Sequence, residues 1–409
     1  MSKLEELIQE LCPDGVEYKR LGEIGKFYGG ITGKSKEDFK DGNSKFITYK
    51  NIYDNLSLNL DVDDKVKINE NENQRTLEYG DIIFTGSSET ADECGISSVL
   101  TQKTDEKLYL NSFCFFLRLN DKDILNPDFA KHLFRSSNLR YQIGKTASGV
   151  TRFNVSKKAM ERVCIPVPPL EVQCEIVRIL DKFTLLTAEL TAELTARRKQ
   201  YEYYRKKIFE EVVEKSEIMK IQDISKNISS GGTPLTSITE YYNGEIPWLR
   251  TQEVNFNEIW DTKVKITNLA LQNSSVKMIP ANCVIVAMYG ATVGRAGINK
   301  IPLTTNQACC NIEINEIKAN YKYLFYWLLE KYDHIKLLGQ GSQTNINSNI
   351  IKKLELPIPS LQEQIKIIDI LDRFDKLCNG ILEGLPAEIE ARRKQYEYYR
   401  EKLLTFKKL

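Results

Sequence analysis

The segment from Gly29 to Ser35 is the first whose residue types could do chemistry, because its glycines, lysine and serine together resemble a phosphate-binding loop. Such a loop begins with a glycine of its own, and Tyr28 stands at that position here. No strong strand precedes the segment either. We therefore do not expect ATP binding at this point of the chain.

A second candidate for chemistry, Asn126 to Phe129, resembles the Asn-Pro-Pro-Phe sequence of adenine methyltransferases but lacks the second proline. A glycine-rich cofactor loop after a strand is also missing, so the Asn-Pro pair predicts a helix start instead. The chain has only two histidines, His132 and His334, and none of its nine cysteines forms a C-x-x-C pair. We therefore predict no catalytic residue, no metal site and no cofactor on this chain, with cysteines typical of reduced thiols.

The composition indicates a folded protein of more than one domain. The chain has 409 residues, of which 42% are hydrophobic and 28% are charged, and this length exceeds one ordinary core. No apolar run reaches the roughly 20 residues of a membrane span, and the acidic start is unlike a signal peptide, so we expect a cytoplasmic location. The net charge of +1 means that nucleic-acid binding would require basic residues gathered on one face or supplied by partners.

An internal duplication is the strongest pattern in the sequence. The ten residues from Ala196 to Arg205 recur without change from Ala391 to Arg400. Each copy ends a longer matching segment, which begins near Ile165 in the first copy and near Leu356 in the second. Before each segment, short β-branched runs punctuated by Gly, Asn and Pro also match, which predicts strands and loops. The plan is therefore a globule followed by a helix, repeated once.

Both matching segments predict long helices. Apolar residues recur at steps of three or four from Leu170 to Ile208 and again from Leu361 to Leu403, which is the narrow seam of a coiled coil. Prolines directly before each segment mark its start. The second copy is longer by four residues and contains Gly380, Gly384 and Pro386, so we predict a kink or a break near Gly384.

This plan resembles the specificity subunit of Type I restriction–modification systems over the whole chain. Three features carry the resemblance: the Pro-Leu-Glu-Val-Gln start of the first helix (Pro169 to Gln173), the repeated ten-residue block, and the Gly-Gly-Thr-Pro and Ile-Pro-Trp-Leu sequences (Gly231 to Pro234, Ile246 to Leu249). The first globule departs from the last pattern and has Ile31-Thr32-Gly33 and Lys45-Phe46-Ile47-Thr48 instead.

The resemblance implies an α+β fold in which two mixed α/β target recognition domains are separated by two long antiparallel coiled-coil helices, as a pseudo-twofold internal repeat. The expected domains are residues 1–165 and 215–357, and the expected helices are residues 166–214 and 358–409. The family reads a split double-stranded DNA target with an unspecified spacer. It recruits two methyltransferase subunits that methylate adenine N6, together with restriction and translocase subunits. S-adenosylmethionine, ATP and magnesium would then bind those partners and not this chain.

Reading such a target needs side chains that match base edges, such as Arg for guanine and Asn or Gln for adenine, presented by loops on a rigid frame. The candidate DNA-binding residues of the first globule are Lys34, Ser87, Ser88, Thr151, Arg152 and Asn154. Those of the second globule are Arg250, Thr251, Gln252, Tyr289, Thr292, Arg295, Gln343, Thr344, Asn345 and Asn347. In this comparison Gly149 to Asn154 parallels Ser342 to Asn347, and Lys34 to Lys36 parallels Arg250 to Gln252. Asn and Thr are also common in ordinary turns, which is the alternative reading of these loops.

The repeated block is a candidate partner surface, because two identical surfaces suit two identical partners. The expected methyltransferase-binding residues are Arg197, Arg198, Tyr201, Tyr204, Arg392, Arg393, Tyr396 and Tyr399. A solvated helix face is the ordinary meaning of such charge, and DNA contact is the other open interpretation.

Two other functions stay open at this point. One is a methyltransferase or nuclease that reads its own site, which would require a cofactor loop or a carboxylate and lysine metal cluster that we do not find. The other is a coiled-coil adapter whose globules bind protein and not DNA, which the near-neutral charge leaves open.

The Thr-Ala-Glu-Leu tandem at Thr187 to Leu194 provides a test of the first helix as a spacer. Deleting Thr187 to Leu190 removes about 6 Å of helix, against about 3.4 Å for each base pair. We predict that the unspecified spacer of the target becomes about one to two base pairs shorter. Methylome sequencing of cells carrying the deletion measures the spacer, and an unchanged spacer in an active variant would contradict the prediction.

Overall fold

The computed structural model of the protein describes residues 2–339, 345–380 and 384–409. In the first part of the chain the helices are α1 (Lys3–Leu11), α2 (Leu21–Ile24), α3 (Tyr49–Asp54), α4 (Pro127–Leu133), α5 (Ser137–Gly144), α6 (Lys157–Met160) and α7 (Leu170–Val213). The strands there are β1 (Glu17–Arg20), β2 (Gly25–Gly29), β3 (Ser44–Ile47), β4 (Lys65–Val66), β5 (Ile82–Thr85), β6 (Ser87–Ser88), β7 (Ser97–Val99), β8 (Leu108–Leu110), β9 (Cys114–Leu119), β10 (Ala147–Ser148), β11 (Phe153–Val155) and β12 (Cys164–Val167).

The second part of the chain repeats this order with small differences. Its helices are α8 (Ile221–Ile224), α9 (Asn268–Asn273), α10 (Tyr321–Glu330), α11 (Tyr332–Leu337), α12 (Ser348–Lys353), α13 (Leu361–Asn379) and α14 (Leu385–Leu403). Its strands are β13 (Glu217–Lys220), β14 (Ser225–Ser230), β15 (Tyr242–Leu249), β16 (Asn257–Ile259), β17 (Lys265–Ile266), β18 (Met278–Ile279), β19 (Val284–Ala287), β20 (Ala296–Asn299), β21 (Leu303–Thr305), β22 (Cys309–Ile314) and β23 (Glu355–Ile358).

The chain divides into two compact units. Unit 1 is Met1–Leu190 with Ile389–Leu409, and unit 2 is Thr191–Glu388. We call the part of unit 1 before α7 the first globule, and the part of unit 2 between α7 and α13 the second globule. Helix α7 begins in unit 1 and ends in unit 2, so each unit combines one globule with a part of each helical segment.

The first globule is built on the antiparallel sheet β2-β9-β5-β7. Strand β5 is buried along its whole length, as expected for an uninterrupted apolar run. Its side chains alternate between two cores. Phe84 packs with Phe129 on α4 and with Phe134 directly after that helix, whereas Ile83 joins residues of the second sheet, β4-β3-β8. Strands β1 and β12 pair with each other as a separate two-stranded sheet, and β12 directly precedes the start of α7.

The second globule has the same frame. Strand β19 lies between β22 and β20 as β5 lies between β9 and β7, and β16 extends that sheet. The sheet β17-β15-β21-β18 takes the place of β4-β3-β8, and β13 pairs with β23 as β1 pairs with β12. Asn126 caps α4 and Asn320 caps α10, so the predicted helix starts at both positions are confirmed. The predicted mixed fold and internal repeat are confirmed as well.

Helix α7 is a single helix of 44 residues, about 66 Å long at the usual rise. Its start is where the sequence predicts it, directly after Pro168 and Pro169. Three of its apolar side chains near the start, Val172, Ile176 and Leu180, are buried in the core of unit 1. Near its end, Phe209 and Val212 are buried in the core of unit 2.

The second helical segment is not one long helix but two of 19 residues each, α13 and α14. The predicted break near Gly384 is thereby confirmed. Gly384 has a φ of +106°, and a Cβ at this position would lie 2.5 Å from the carbonyl oxygen of Lys376. Only glycine fits such a close approach in a left-handed conformation, and it stands directly before the first residue of α14.

Within each unit, aromatic side chains join two helices. In unit 2, Tyr204 on α7 stacks on Phe374 on α13 at 5.9 Å. Arg198, which comes earlier on α7, bonds to the carbonyl of Cys378, which comes later on α13, so these two segments run antiparallel. In unit 1 the equivalent pair, Phe183 on α7 and Tyr399 on α14, stacks at 5.2 Å.

A buried glutamine in the first turns of each helical segment attaches the globule to the helix. In unit 1 the Gln173 side chain accepts from the backbone of Asn126 at 2.8 Å and donates to the carbonyls of Ile124 and Pro168. In unit 2 Gln364 accepts from Asn320, also at 2.8 Å, and donates to the carbonyl of Pro359 at 2.9 Å. The last residue of the Pro-Leu-Glu-Val-Gln sequence therefore satisfies backbone groups that water cannot reach.

A carboxylate two residues before each stacked phenylalanine makes a second attachment. In unit 1 Asp181 lies 2.7 Å from Nε2 of His132 on α4, and Nδ1 of that buried ring lies 2.9 Å from the Tyr396 hydroxyl. In unit 2 the equivalent residue, Asp372, accepts from the Tyr326 hydroxyl at 2.5 Å. The histidine is thus a structural residue, held as a neutral ring that donates to Asp181 and accepts from Tyr396.

The His132 attachment predicts a dependence of stability on pH. Burial lowers the pKa of His132 below its ordinary value of 6.5, although the hydrogen bond to Asp181 opposes this. The unfolded chain therefore binds the extra proton at a higher pH than the folded chain does. We predict that the contribution of His132 to the free energy of unfolding is complete above pH 6.5 and is lost as the pH drops from 6.5 toward the folded-state pKa. Urea unfolding at a series of pH values measures this free energy.

Two variants provide the controls for this experiment. His132→Tyr copies the Tyr326 and Asp372 pair of unit 2 and should remove the loss that begins below pH 6.5. His334→Gln changes the exposed histidine on α11 and should keep that loss. Burial raises the pKa of Asp181, but its bonds from His132 and Lys131 outweigh this and lower the pKa from 3.8. Any loss of stability caused by protonation of Asp181 therefore occurs below pH 3.8. An identical pH profile for His132→Tyr and the unchanged chain would contradict the prediction.

Candidate nucleic-acid interface and partner surface

Ser87 joins three loops of the first globule at the end of β5. Its hydroxyl oxygen accepts from Nε and Nη2 of Arg152, at 3.1 and 2.9 Å. Its carbonyl accepts from the hydroxyl of Tyr49 at the start of α3. Strand β11 pairs with β6 through Asn154 and Ser87. The candidate residues Ser87, Arg152 and Asn154 therefore lie together, and Ser88, in the same strand, is half-buried.

Two half-buried arginines hold the surrounding loops. Arg140 on α5 donates to the carbonyls of Asp92, Cys94 and Gly95 in the loop after β6. Arg135 donates to the carbonyl of Ser97 and to carbonyls at the end of α3. Burial lowers the pKa of Arg135 to about 10, so both guanidiniums remain charged near neutral pH. Charged donors to several carbonyls fix these loops before any ligand is bound.

In the second globule the candidate residues lie at the same end of the equivalent strands. Tyr289, the second residue after β19, is exposed, and the backbone of the next residue, Gly290, donates to the side chain of Asn345. Arg295 donates to the side chain of Asn255 at 2.9 Å, while Thr292, in the turn between them, is half-buried. Gln343 and Thr344 lie outside the described residues.

The structure corrects the alignment of these loops. Val155 donates to the carbonyl of Gly86, and Ile346 donates to the equivalent carbonyl of Met288. Ser156 then caps α6 as Asn347 caps α12. The predicted pairing of Asn154 with Asn347 is therefore two residues out of register, since Ser156 takes the place of Asn347. The oxygen of the Asn347 side chain caps a helix and is not free to accept from a base.

The predicted counterpart of the Arg250 loop is also wrong. The last residues of β3 and β15, Ile47 and Leu249, occupy equivalent places beside β8 and β21. Thr48, Tyr49 and Lys50 therefore match Arg250, Thr251 and Gln252. Of that second set Gln252 is exposed, Thr251 is buried, and Nε of Arg250 is buried with no hydrogen-bond partner among the described residues.

Lys34 does not present a free charge. Its ammonium lies 2.7 Å from the Glu72 carboxylate, and its side chain is only 6% exposed. The lysine of the Gly29 to Ser35 segment is therefore neutralised within the fold. Lys50 is exposed instead, and sequence reasoning missed it because the two globules align poorly before β5.

The repeated block presents the same outer face in both units. Arg197 and Arg392 each donate to the glutamine three residues later, at 2.9 and 3.0 Å. The side chains of Tyr203 and Tyr398 are 61% and 62% exposed. Each makes an edge-to-face contact with the next tyrosine, at 5.4 and 5.3 Å. We call this face the tyrosine surface; its residues are Arg198, Lys199, Glu202, Tyr203 and Tyr204 in unit 2, and Arg393, Lys394, Glu397, Tyr398 and Tyr399 in unit 1.

Two of the predicted partner-binding tyrosines face inward. Tyr201 is 4% exposed and stacks on Phe374, and Tyr396 is half-buried against His132. They lie on the apolar seam of the helix, which packs inside the unit. Tyr203 and Tyr398, two residues further along the helix, point to the opposite side. Helical periodicity alone would have identified them, because they lie outside the seam.

The described residues give no indication of catalytic chemistry. No group of three or more His, Cys, Asp or Glu side chains among them could hold a metal ion. Burial raises the pKa of the Cys114 thiol, and that of Cys283, to about 12, so these sulfurs are not nucleophiles near neutral pH. Over residues 2–339, 345–380 and 384–409 there is also no helix with the length and apolar character to cross a membrane.

A family model described as "Type I restriction modification DNA specificity domain" matches residues 13–197 and 213–391. The chain belongs to this family. The two matched ranges correspond to the two copies of the repeat, each consisting of a globule and the helix that follows it.

Curated relatives agree with this assignment. The specificity subunit of the type I restriction enzymes EcoR124I and EcoR124II from Escherichia coli is 37% identical over 266 residues, which is 62% of this chain and 65% of that protein. A chain from Haemophilus influenzae, named as a type I restriction enzyme specificity subunit, is 33% identical over 307 residues, 70% of this chain and 74% of the relative. Such specificity subunits are non-catalytic, and the catalytic activities belong to partner subunits.

A solved structure supports the fold. The S subunit of a Type I restriction–modification system from M. genitalium superposes with a TM-score of 0.55 at 15% identity. The match covers 96% of this chain and 97% of the other. The similarity therefore extends over both globules and the helical segments.

Proposed function

We propose that this chain is the DNA-reading subunit of a Type I restriction–modification complex and that its target is split. Residues 1–165 and 215–357 act as target recognition domains, and each reads one short sequence on either side of unspecified bases. The support is that two globules of the same fold present loops from equivalent strand ends with different side chains, Ser87 and Arg152 in one and Tyr289 and Asn345 in the other. Matched frames with different reading residues suit a target with two unlike halves.

The tyrosine surface is the proposed docking site for two methyltransferase subunits. It occurs once in each unit with the same five residue types and the same edge-to-face contact between neighbouring tyrosines, so two identical partners can bind it. Exposed tyrosines flanked by arginine are typical of energetically important contacts in protein interfaces. The partners would methylate adenine N6, and restriction and translocase subunits would join the same complex.

The partners also supply what this chain lacks for DNA binding. With a net charge of +1, the chain has little basic surplus to attract phosphates. Methyltransferase subunits that enclose the DNA would add most of that attraction, and this chain would contribute the base contacts. S-adenosylmethionine, ATP and magnesium would bind those partner subunits. The complex would work in the cytoplasm.

Co-purification of the chain with its methyltransferase subunit tests both parts of the proposal. We predict a complex with two methyltransferase copies that methylates a split target, as measured by native mass spectrometry and by sequencing of modified DNA. Replacing Tyr398 and Tyr399 by Ala should weaken one of the two docking events by about 10- to 100-fold and leave a complex with a single methyltransferase. The corresponding change at Tyr203 and Tyr204, combined with it, should abolish assembly.

Tyr141→Ala is the matched control, because this tyrosine is also well exposed but lies on α5, away from the repeated block. The control should keep two methyltransferase copies. A wild-type complex that methylates an unsplit target would contradict the proposal for the globules. Two bound copies in the variant with all four tyrosines replaced would contradict the proposal for the tyrosine surface.

A further inference from the structure

The hairpin that carries Arg152 is tightly constrained. Its two strands, β10 and β11, pair through Ser148 and Asn154, and the turn between them contains Gly149 with a φ of +150°. A Cβ on that glycine would lie 2.0 Å from the carbonyl oxygen of Arg152, so the turn can close this tightly only with glycine. The backbone position of Arg152 is therefore set by the hairpin itself.

A buried thiol fixes the other side of the hairpin. The sulfur of Cys94, in the loop that Arg140 holds, lies 3.2 Å from the carbonyl oxygen of Phe153 and donates to it. Burial raises the pKa of the Cys94 thiol, which keeps the proton on sulfur. The residue that follows Arg152 is thus attached to a loop that is already immobilised.

The guanidinium of Arg152 is held on one edge and free on the other. Nε and Nη2 both donate to the Ser87 hydroxyl, which occupies the side edge of the planar group. Its carbon lies 5.7 Å from the centroid of the Phe113 ring, which is 61% exposed. None of the described carboxylates forms an ion pair with it. Among the described residues, no hydrogen-bond acceptor engages the end edge, formed by Nη1 and the second N–H of Nη2, and Arg152 is exposed.

Two parallel N–H groups on an exposed, fixed guanidinium match the two acceptors that guanine presents in the major groove, O6 and N7. A phosphate could also bind an arginine, but a phosphate contact needs no fixed orientation, whereas this side chain is oriented by Ser87 and Phe113. We propose that Arg152 reads a guanine in the half of the target that the first globule contacts, with Ser87 and Phe113 as its positioning residues. This inference rests on the proposed function of the globules as target recognition domains.

The experiment uses the complex of the full chain with its methyltransferase subunits and the target duplex found by sequencing of modified DNA. Each guanine in the target is replaced in turn by 7-deazaguanine, which lacks the N7 acceptor. For the unchanged complex we expect the affinity to fall about 10- to 100-fold at one guanine in one half. The Arg152→Ala complex should bind the natural duplex with a similar loss, and it should lose nothing further from the 7-deazaguanine at that position.

The modified sequence provides a second readout. Arg152→Ala should relax the methylated target at that single position and leave the other half and the spacer unchanged. Ser87→Ala should weaken discrimination at the same position by a smaller factor. Arg162→Ala, at an exposed arginine of the same globule that follows α6, removes the same charge and should leave the target unchanged. Since Arg152 is exposed, we expect both arginine variants to fold, and their thermal unfolding checks this.

The outcomes separate this inference from the function on which it rests. If the unchanged complex methylates a split target but Arg152→Ala keeps the same sequence and affinity, the inference is wrong and the proposed function stands. A half-site without guanine, or a uniform loss of affinity for all duplexes, also overturns the inference, the latter in favour of a phosphate contact. If the unchanged complex has no split target, the proposed function itself fails.

Discussion

The unbroken hydrogen bonding of α7 is the constraint on which the proposed reading of a split target depends. This helix passes from one compact unit into the other, as the shorter α14 also does, and its 44 residues continue without interruption past Leu190, where the first part of unit 1 ends. Around that point the chain carries Thr187-Ala188-Glu189-Leu190 and its tandem copy, in which Ala, Glu and Leu have high intrinsic helix propensity. Propagating a helix is favourable once it is nucleated, and both of its ends are anchored in apolar cores.

A continuous helix can fix the position of a reading globule only if the globule is firmly attached to its helical segment. Gln173 and Gln364 are buried amides whose loss would leave backbone groups unsatisfied, at a cost of about 1–3 kcal/mol for each group. Asp181 and Asp372 add a carboxylate bond to α4 and α10, through His132 and Tyr326. These contacts fix each globule on its helical segment and occur in both units. The residues of the loops proposed to read DNA, in contrast, differ between the two globules. Such a division of roles explains how one fold can carry two unlike recognition surfaces in a single chain.

The sequence predicted the elements that follow from periodicity and repetition. Long helices, the break near Gly384 and the duplicated globule all leave signals that a helical seam or an exact repeat makes visible. The register of the reading loops left no such signal, and the alignment of Asn154 with Asn347 was wrong by two residues because loop length differs between the copies. Lys34 looked like a free cation because its partner, Glu72, is distant in sequence and meets it only in the fold.

The tyrosines of the repeated block illustrate the same limit. Identity between the copies pointed to the block, but not to the face that is exposed. Tyr201 lies on the apolar seam and stacks on Phe374, while Tyr203 points outward. Phe113, which flanks Arg152, was missed because nothing in a Ser-Phe-Cys sequence indicates an exposed ring. Burial and the direction of side chains are properties of packing, and only the three-dimensional structure provides them.

Hydrogen–deuterium exchange of the full chain tests the continuity of α7 most directly. The decisive amides are those from Leu185 to Ala196, which lie on either side of the limit between the two units. Our account predicts slow exchange there, comparable to that of Tyr201 to Phe209, because the backbone hydrogen bonds of one helix protect them. Exchange as fast as that of an open loop, with protection only at the two ends of α7, would contradict a continuous helix between the reading globules.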